Sequence, residues 1–162
     1  MPTQTYTPLA HVTLAATAAS ITFGSIPNTY RDLVLVVHGI STSANYARIN
    51  LNGAPTTFSY VNIKGSGSAA TSETNVTNNN RLSTLSAGST FVAALQITAS
   101  IMDYSTTDKH KTILSRAGQP ATGTELVVTR WANTSAVTSL SVVANGDTWG
   151  IGTTAVLYGV VA

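Results

Sequence analysis

Ser20 to Ile40 reads SITFGSIPNTYRDLVLVVHGI, and the interpretation of the whole chain starts from this stretch. Leu33 to Val37 are five consecutive aliphatic residues, a run too short for a buried helix and rich in β-branched valine. Such a run between turn residues is typical of a strand that is covered on both faces. Pro27 lacks the N–H that a sheet ladder requires and holds Ile26 extended, so we expect the chain to turn there.

Short segments that alternate apolar and polar residues recur along the chain, with turn residues about every ten positions. Alternation over 48–51 predicts a strand, and Asn52-Gly53 after it predicts a type I′ hairpin turn to a partner strand at 57–63. Alternation from Phe91 to Ile101 predicts another half-buried strand. We therefore expect an all-β, single-domain antiparallel β-sandwich of eight or nine strands. It would be jelly-roll-like if the first and last strands lie in different sheets.

Two polar segments flank or interrupt this pattern. Residues 1–8 are expected to form an N-terminal arm, and residues 9–162 the sandwich domain. Residues 65–80 read GSGSAATSETNVTNNN and hold one large aliphatic residue, so we expect a long polar loop that buries too little apolar surface to order itself.

The composition favours a chain that is packed against neighbours or exposed outside a cell. Only 9% of the 162 residues are charged, against the usual quarter, so little repulsion keeps copies apart. The net charge is +2, but the basic residues are scattered, and a nucleic-acid partner is not expected. Only Lys109-His110-Lys111 places basic residues close together, and with Asp108 it is interpreted as a solvated hairpin tip.

Several classes of protein are disfavoured by what the sequence lacks. It has no cysteine, and therefore no disulfide, thiolate nucleophile or cysteine-type zinc site. The N-terminal residues MPTQTYTPLAHV show neither the basic nor the apolar region of a signal peptide, so none is expected. No stretch reaches eighteen apolar residues, so no membrane partner is expected.

No catalytic or metal-binding motif is recognisable. The three histidines, His11, His38 and His110, fall in different predicted elements, and His38 is interpreted as a histidine at the rim of a strand. The six acidic residues lie in no glycosidase or calcium-loop signature. We therefore expect no enzyme activity, no catalytic residue, no cofactor and no metal.

Carbohydrate binding is an alternative, because lectin sandwiches stack sugars on exposed aromatic rings. Trp149 lies among small and polar residues, and with Asp147 and Asn145 it forms a candidate glycan contact. A neighbouring subunit that covers Trp149 is the competing interpretation. Trp131 follows an aliphatic run and is expected in the core.

Short motifs are spread over nearly the whole chain, from Tyr6 to Val160. They are Ser20-Ile21-Thr22-Phe23, Ser25-Ile26-Pro27, Thr29-Tyr30, Asp32-Leu33-Val34-Leu35, Asn52-Gly53, Tyr60, Gly65-Ser66-Gly67-Ser68, Asp103-Tyr104, Lys109-His110-Lys111-Thr112, Leu114-Ser115-Arg116, Trp131 and Leu157-Tyr158-Gly159. In their order and spacing they resemble a family of small virion structural proteins of tailed bacteriophages. The resemblance implies a non-enzymatic β-sandwich protein of the particle, either a capsid decoration (cement) protein or a tail or tail-fibre component.

Together these observations predict a capsid decoration protein that oligomerises, as a trimer, and docks on the viral shell formed by the major capsid protein. The alternative is a tail or tail-fibre component that binds a host-surface glycan. Such a chain would be assembled in the bacterial cytoplasm and released in the virion by lysis. The candidate interface residues, in the arm and in or beside the polar loop, are Pro2, Tyr6, Pro8, Asn75, Asn79 and Arg81.

Overall fold

The computed structural model describes residues 4–41, 46–77 and 79–161, which form eleven β-strands and one turn of 3-10 helix at Phe91–Ala93. The strands are β1 (Tyr6–Thr13), β2 (Ser20–Phe23), β3 (Asp32–Gly39), β4 (Ala47–Leu51), β5 (Phe58–Gly65), β6 (Ala70–Asn75), β7 (Leu95–Met102), β8 (Lys111–Gln119), β9 (Gly123–Trp131), β10 (Leu140–Ala144) and β11 (Thr154–Val160). In β3, β4 and β7 to β11, buried residues recur at every second position, as expected of strands with one face on a core.

Two antiparallel sheets make up the fold. The large sheet has eight strands in the order β1-β11-β3-β7-β8-β9-β5-β6, and the small sheet has the order β2-β10-β4. The small sheet packs on one face of the large sheet, the inner face, through a shared core. The opposite face of the large sheet is called the outer face below.

This arrangement confirms the predicted all-β antiparallel sandwich. Within the described residues it has eleven strands rather than eight or nine, and the loop predicted at 65–80 supplies one of them, β6. The first and last strands, β1 and β11, are neighbours in one sheet, so the condition set for a jelly roll is not met.

The core lies between the inner face and the small sheet. Leu33, Leu35 and Val37 of the predicted aliphatic strand are at most 1% exposed. Small-sheet side chains that face them are Ile21, Phe23, Ala47, Ile49, Leu51, Leu140, Val142 and Ala144. Burying an aliphatic or aromatic side chain of this size contributes about 1.5–3 kcal/mol to stability, so this layer holds the two sheets together.

Three strands cannot cover eight, and the inner face over β8, β9 and β5 is covered instead by the irregular segment 79–90. Buried Glu125 of β9 fixes that segment. Its carboxylate accepts hydrogen bonds from the Ser83 hydroxyl at 2.9 Å and from the Thr84 N–H and hydroxyl at 2.7 and 2.6 Å. The Asn62 amide of β5 also donates to Glu125, at 2.5 Å. A buried carboxylate requires such donors, so Glu125 joins the segment to the sheet.

The Asn52-Gly53 turn is present but does not form the predicted hairpin. Both residues have the positive φ expected, 51° and 72°, yet β4 pairs with β10 while β5 pairs with β9 and β6. The Asn52 side chain accounts for the difference. It accepts a hydrogen bond from the Thr138 N–H and donates one to the Ala136 carbonyl, both at 2.8 Å. These bonds hold the end of β4 beside the segment that enters β10, and the chain then crosses to the large sheet.

The predicted arm and the predicted polar loop both contribute residues to edge strands. Within 65–80, a turn closed by the hydrogen bond from the Ser66 N–H to the Ala69 carbonyl returns the chain along β5 as β6. In the predicted arm, Tyr6 to Pro8 belong to β1 and pair with β11. Most side chains of β6 are exposed, so its backbone ladder holds it in place, and composition alone did not indicate a strand.

The strand predicted from Phe91 begins only at Leu95. Residues 91–93 form the 3-10 turn, which leaves Phe91 59% exposed. Its ring stacks on His38 at a centroid distance of 5.9 Å and lies over Gly152, where an added Cβ would be 2.5 Å from the ring. His38 is thus a rim histidine, and an aromatic ring is its neighbour there.

Substituting Gly39 tests the packing of β3. A Cβ added at Gly39 would lie 2.6 Å from Cζ3 of the buried Trp149 indole. We predict that Gly39→Ala lowers the free energy of unfolding by about 1–3 kcal/mol through overpacking, measured by urea unfolding followed by tryptophan fluorescence. The matched control is Gly118→Ala in β8, where an added Cβ meets nothing within 4 Å. Equal losses in the two variants would contradict this explanation.

Candidate assembly surface

The outer face of the large sheet carries two central rows of side chains, aligned by the strand registers. The first row, from β11 to β6, is Val156, Val36, Thr98, Arg116, Leu126, Ile63 and Ser72. The second row is Tyr158, Val34, Ser100, Leu114, Val128, Val61 and Thr74. Aliphatic residues therefore occupy adjacent positions on a face that the small sheet does not cover.

Five of these residues on β8, β9 and β5 form a contiguous surface, the outer apolar patch: Leu114, Leu126, Val128, Val61 and Ile63. Leu126 lies directly opposite Ile63, and Val128 directly opposite Val61. Ile63 is 62% exposed, Val61 47% and Leu126 41%. Single exposed aliphatics are normal, whereas a contiguous group of them is a candidate interaction surface.

The same strands carry polar residues on the side that faces the core. Inward positions of β8, β9 and β5 include the buried residues Ser115, Glu125, Thr129 and Asn62. Ser115 and Thr129 donate to the carbonyls of Leu82 and Arg81 at 2.7 and 2.6 Å. The usual pattern of apolar inside and polar outside is thus partly reversed in this half of the sheet.

The aliphatic run in β3 was predicted to be covered on both faces, and in the isolated chain it is not. Leu33, Leu35 and Val37 face the core, whereas Val36 is 37% exposed and Val34 is half-buried. The run is continuous because β3 is an interior strand, paired with β11 and β7, and its outward residues Val34 and Val36 belong to the outer face.

Two shallow grooves border the patch, and each contains one arginine. One groove, of about 480 Å³, is lined by Ile63, Leu126 and Arg116 together with Gly65, Ala117, Thr124 and Glu125, whose carboxylate is bonded on the inner face. The other, of about 250 Å³, is lined by Val61, Val128 and Arg130 together with Ser59, Thr74 and their neighbours. The two central rows contain no acidic side chain, so the charge on this part of the face is positive.

The predicted interface residues lie at the two opposite edges of the large sheet. Tyr6, 52% exposed, and exposed Pro8 are on edge strand β1, where the register shifts at Pro8. Asn75 ends edge strand β6, and the Asn79 N–H donates to the Phe58 carbonyl at 3.2 Å. Pro2 lies outside the described residues. The structure therefore does not bring the β1 and β6 candidates together within one chain.

Arg81, the remaining interface candidate, takes part in an aromatic cluster beside β6. Its guanidinium carbon lies 3.3 Å from the centre of the Tyr46 ring and 6.0 Å from that of Tyr60. The Tyr60 hydroxyl donates to Glu73 of β6 at 2.6 Å. Burial, followed by the Glu73 carboxylate, raises the pKa of Tyr60 to about 12. The cluster stabilises the β5–β6 hairpin from its inner side.

The candidate glycan site is not formed. Trp149 is fully buried in its own chain: its indole N–H donates to the Val142 carbonyl at 3.2 Å, and its ring covers Gly39. The ring is therefore not available to stack on a sugar, and no neighbouring subunit is needed to cover it. Asp147 accepts a 2.5 Å hydrogen bond from Ser41, and half-buried Asn145 pairs through its backbone with Tyr46. The polar residues beside Trp149 in the sequence had suggested that its ring is exposed, but the turn buries the ring.

The second tryptophan, Trp131, is 1% exposed, which confirms the prediction that it lies in the core.

Lys111 is buried, so the predicted solvated tip is only partly correct. Its ammonium donates to the carbonyls of Thr106, Lys109 and Thr134 at 2.7, 2.9 and 3.2 Å. Burial lowers the pKa of Lys111, and nearby Asp108 acts in the opposite direction. The three carbonyl contacts give Lys111 the structural role of closing the loops beside it. Its neighbours Lys109 and His110 are exposed.

Within residues 4–41, 46–77 and 79–161, no group of three or more acidic or histidine side chains is arranged to hold a metal ion. No helix in these ranges has the length and hydropathy needed to cross a membrane.

Comparisons with protein-family models, with curated proteins and with solved structures found no match. The functional inference therefore depends on the surface of this chain and on the sequence resemblance described above.

The raised pKa of Tyr60 predicts a loss of stability at alkaline pH. In the unfolded chain a tyrosine ionises near pH 10, so between pH 10 and about 12 the folded state retains a proton that the unfolded state loses. The free energy of unfolding should fall through this window by about 3 kcal/mol on account of Tyr60. Tyr60→Phe has no hydroxyl to ionise, so urea unfolding at pH 9 to 12 should show a correspondingly smaller loss.

Tyr6→Phe, at an exposed position on β1, is the control for this measurement. An alkaline loss in Tyr60→Phe as large as in the wild type would show that other groups cause it.

Proposed function

We propose that this chain is a non-enzymatic structural protein of a tailed-bacteriophage particle, acting as a capsid decoration (cement) protein that oligomerises and docks on the viral shell. The observation that carries the proposal is the outer apolar patch on strands whose inner positions include buried polar residues. A protein that functions alone has little reason to expose Ile63, Val61 and Leu126 side by side while it buries Glu125 and Asn62 behind them. A surface of this kind is expected when a partner covers it.

The composition supports the same proposal. With few charges and many hydroxyl and amide groups, the surface offers little repulsion between neighbouring proteins in an assembly. The motifs from Ser20-Ile21-Thr22-Phe23 to Leu157-Tyr158-Gly159 resemble phage virion proteins. Such a protein would assemble in the bacterial cytoplasm and leave the cell in the virion by lysis.

The positions of the interface candidates suggest how copies would associate. Tyr6 and Pro8 on β1 and Asn75 on β6 lie at opposite edges of one sheet. A ring joins unlike surfaces of successive copies, and contact between the β1 edge of one copy and the β6 edge of the next would be of this kind. A trimer built in this way would leave the outer faces free to dock on the shell. Native mass spectrometry tests it by looking for three times the 16.7 kDa mass of the chain.

Electron cryomicroscopy of particles purified from lysate tests the location. Density for this chain spread over the capsid lattice, with the outer face toward the shell, is the expected result. Density at the tail alone would assign the chain to the tail or tail-fibre class. Because Trp149 is buried, a host glycan would then have to bind at other residues. Absence of the chain from the particle would overturn the proposal.

Two substitutions on the patch test its role in assembly. We predict that Ile63→Asp/Leu126→Asp lowers the amount of the chain in purified particles at least tenfold, measured by mass spectrometry, because each charge would be buried against the partner. Both side chains are exposed, so the isolated chain should stay folded, with its thermal unfolding midpoint lowered only by the repulsion between the two opposed aspartates.

The matched control is Val92→Asp. Val92 is an aliphatic residue that is 83% exposed on the 3-10 turn and lies off the outer face. Equal incorporation of the patch variant and the control would remove the patch from the assembly interface.

A further inference from the structure

We propose that the outer apolar patch docks a protein surface that carries apolar side chains between two carboxylates, and not a second copy of this chain. This inference rests on the proposed function in taking the patch as an assembly surface, and it names the chemistry of the partner. The observation behind the proposal is that each of the two grooves beside the patch is lined by one arginine.

Each arginine lies where an acidic side chain would enter an apolar groove. Arg116 lines one groove with Ile63 and Leu126, and Arg130 lines the other with Val61 and Val128. Both arginines are exposed. A guanidinium beside aliphatic walls fits a carboxylate whose own stem is apolar, because the charge pairs while the stem is buried.

The acidic residues nearest these strands are engaged within the chain; Glu125 lines the Arg116 groove, but its carboxylate is bonded to Ser83 and Thr84. Glu125 and Glu73 pair in register with Lys64 and Asn62, at inward positions. Asp32, at the start of β3, is bound to Arg31 and to the Asp103 N–H. Within the described residues neither Arg116 nor Arg130 has an ion-pair partner, and the Arg130 guanidinium donates a hydrogen bond to the His110 ring at 2.7 Å. Neither guanidinium is neutralised by its own chain.

The strand register sets the spacing of the two charges. Arg116 lies directly opposite Leu126, and Leu126 precedes Arg130 by four residues on β9. Four residues along a strand and one strand across place the two Cα atoms about 14 Å apart. An extended partner segment with carboxylates at positions i and i+4, and an apolar residue between them on the same face, matches this spacing.

A second copy fits poorly on the same surface. Packing two outer faces together would bring the Arg116 and Arg130 side chains of both copies into one apolar interface. The two central rows offer no carboxylate to neutralise them. Like charges that meet in an interface oppose association, so a partner with carboxylates is favoured over self-association.

The test uses nuclear magnetic resonance of the isotope-labelled full chain with a synthetic peptide as the probe. The peptide has two glutamates four residues apart, a leucine midway between them and threonine elsewhere. We expect amide shifts around Arg116, Leu126 and Arg130, and a dissociation constant at least tenfold lower than for a peptide with lysine in place of both glutamates. Replacing the leucine by alanine should weaken binding several-fold, and added salt should weaken it further.

Matched variants of the chain test the role of the charges. Arg116→Gln/Arg130→Gln should raise the dissociation constant at least tenfold. Arg31→Gln/Lys109→Gln removes the same charge from residues outside the outer apolar patch and should leave the dissociation constant unchanged. Equal effects of the two double variants would show that the net charge of the chain alone causes the attraction. That result would overturn the proposed site.

Other outcomes also overturn the inference. They are no detectable peptide binding, equal binding of the lysine peptide, shifts on another face, equally tight binding of an oligonucleotide at this face, and a wild-type dimer that Leu126→Asp dissociates. The measurement needs only the purified chain. Its failure is therefore distinct from failure of the proposed function, which would be seen as absence of the chain from particles.

Discussion

The fold depends on how a sheet of eight strands is covered on its inner face by a sheet of only three. Segment 79–90 completes the cover, and the buried carboxylate of Glu125 holds it there through bonds to Ser83 and Thr84. A buried carboxylate without these donors would cost several kcal/mol, so the segment and the strand stabilise each other. Polar groups are consequently committed to the inner face of β9 and β5, while Val61, Ile63, Leu126 and Val128 of these strands point outward.

The consequence for function follows from this division of the sheet. Near β3 and β11 the inner face meets a conventional apolar layer, whereas β8, β9 and β5 place polar residues among their inward side chains and aliphatic residues on the face toward solvent. We interpret this half of the sheet as one side of an interface whose other side belongs to another protein. The low charge of the chain agrees with that interpretation. The positive charges of Arg116 and Arg130 favour a partner with negative charge at the proposed interface.

The sequence predicted the strands and the all-β class well, because alternation and turn residues are local signals. It did not predict which strands pair, since Asn52 holds its turn by bonds to residues 136 and 138, far along the chain. It was wrong about Trp149, which both alternatives took as exposed on its own chain, because only the packing of the indole on Gly39 buries the ring. The outer apolar patch was missed, although Val61, Ile63 and Leu126 were visible as aliphatics, because alternation does not show which face a partner covers.

The topology also bears on how the chain reaches its folded state. β8 and β9 are joined by a tight turn and can pair early, whereas β1 pairs with β11 and the small sheet joins β2 and β4 to β10. Pairing of segments so distant in sequence is slow, because loop closure costs entropy before the contacts form. Two strands that carry the outer apolar patch would then exist before the sandwich is closed. Folding intermediates of this chain should therefore be prone to aggregation at high concentration, and rapid capture by a partner would protect the newly made protein.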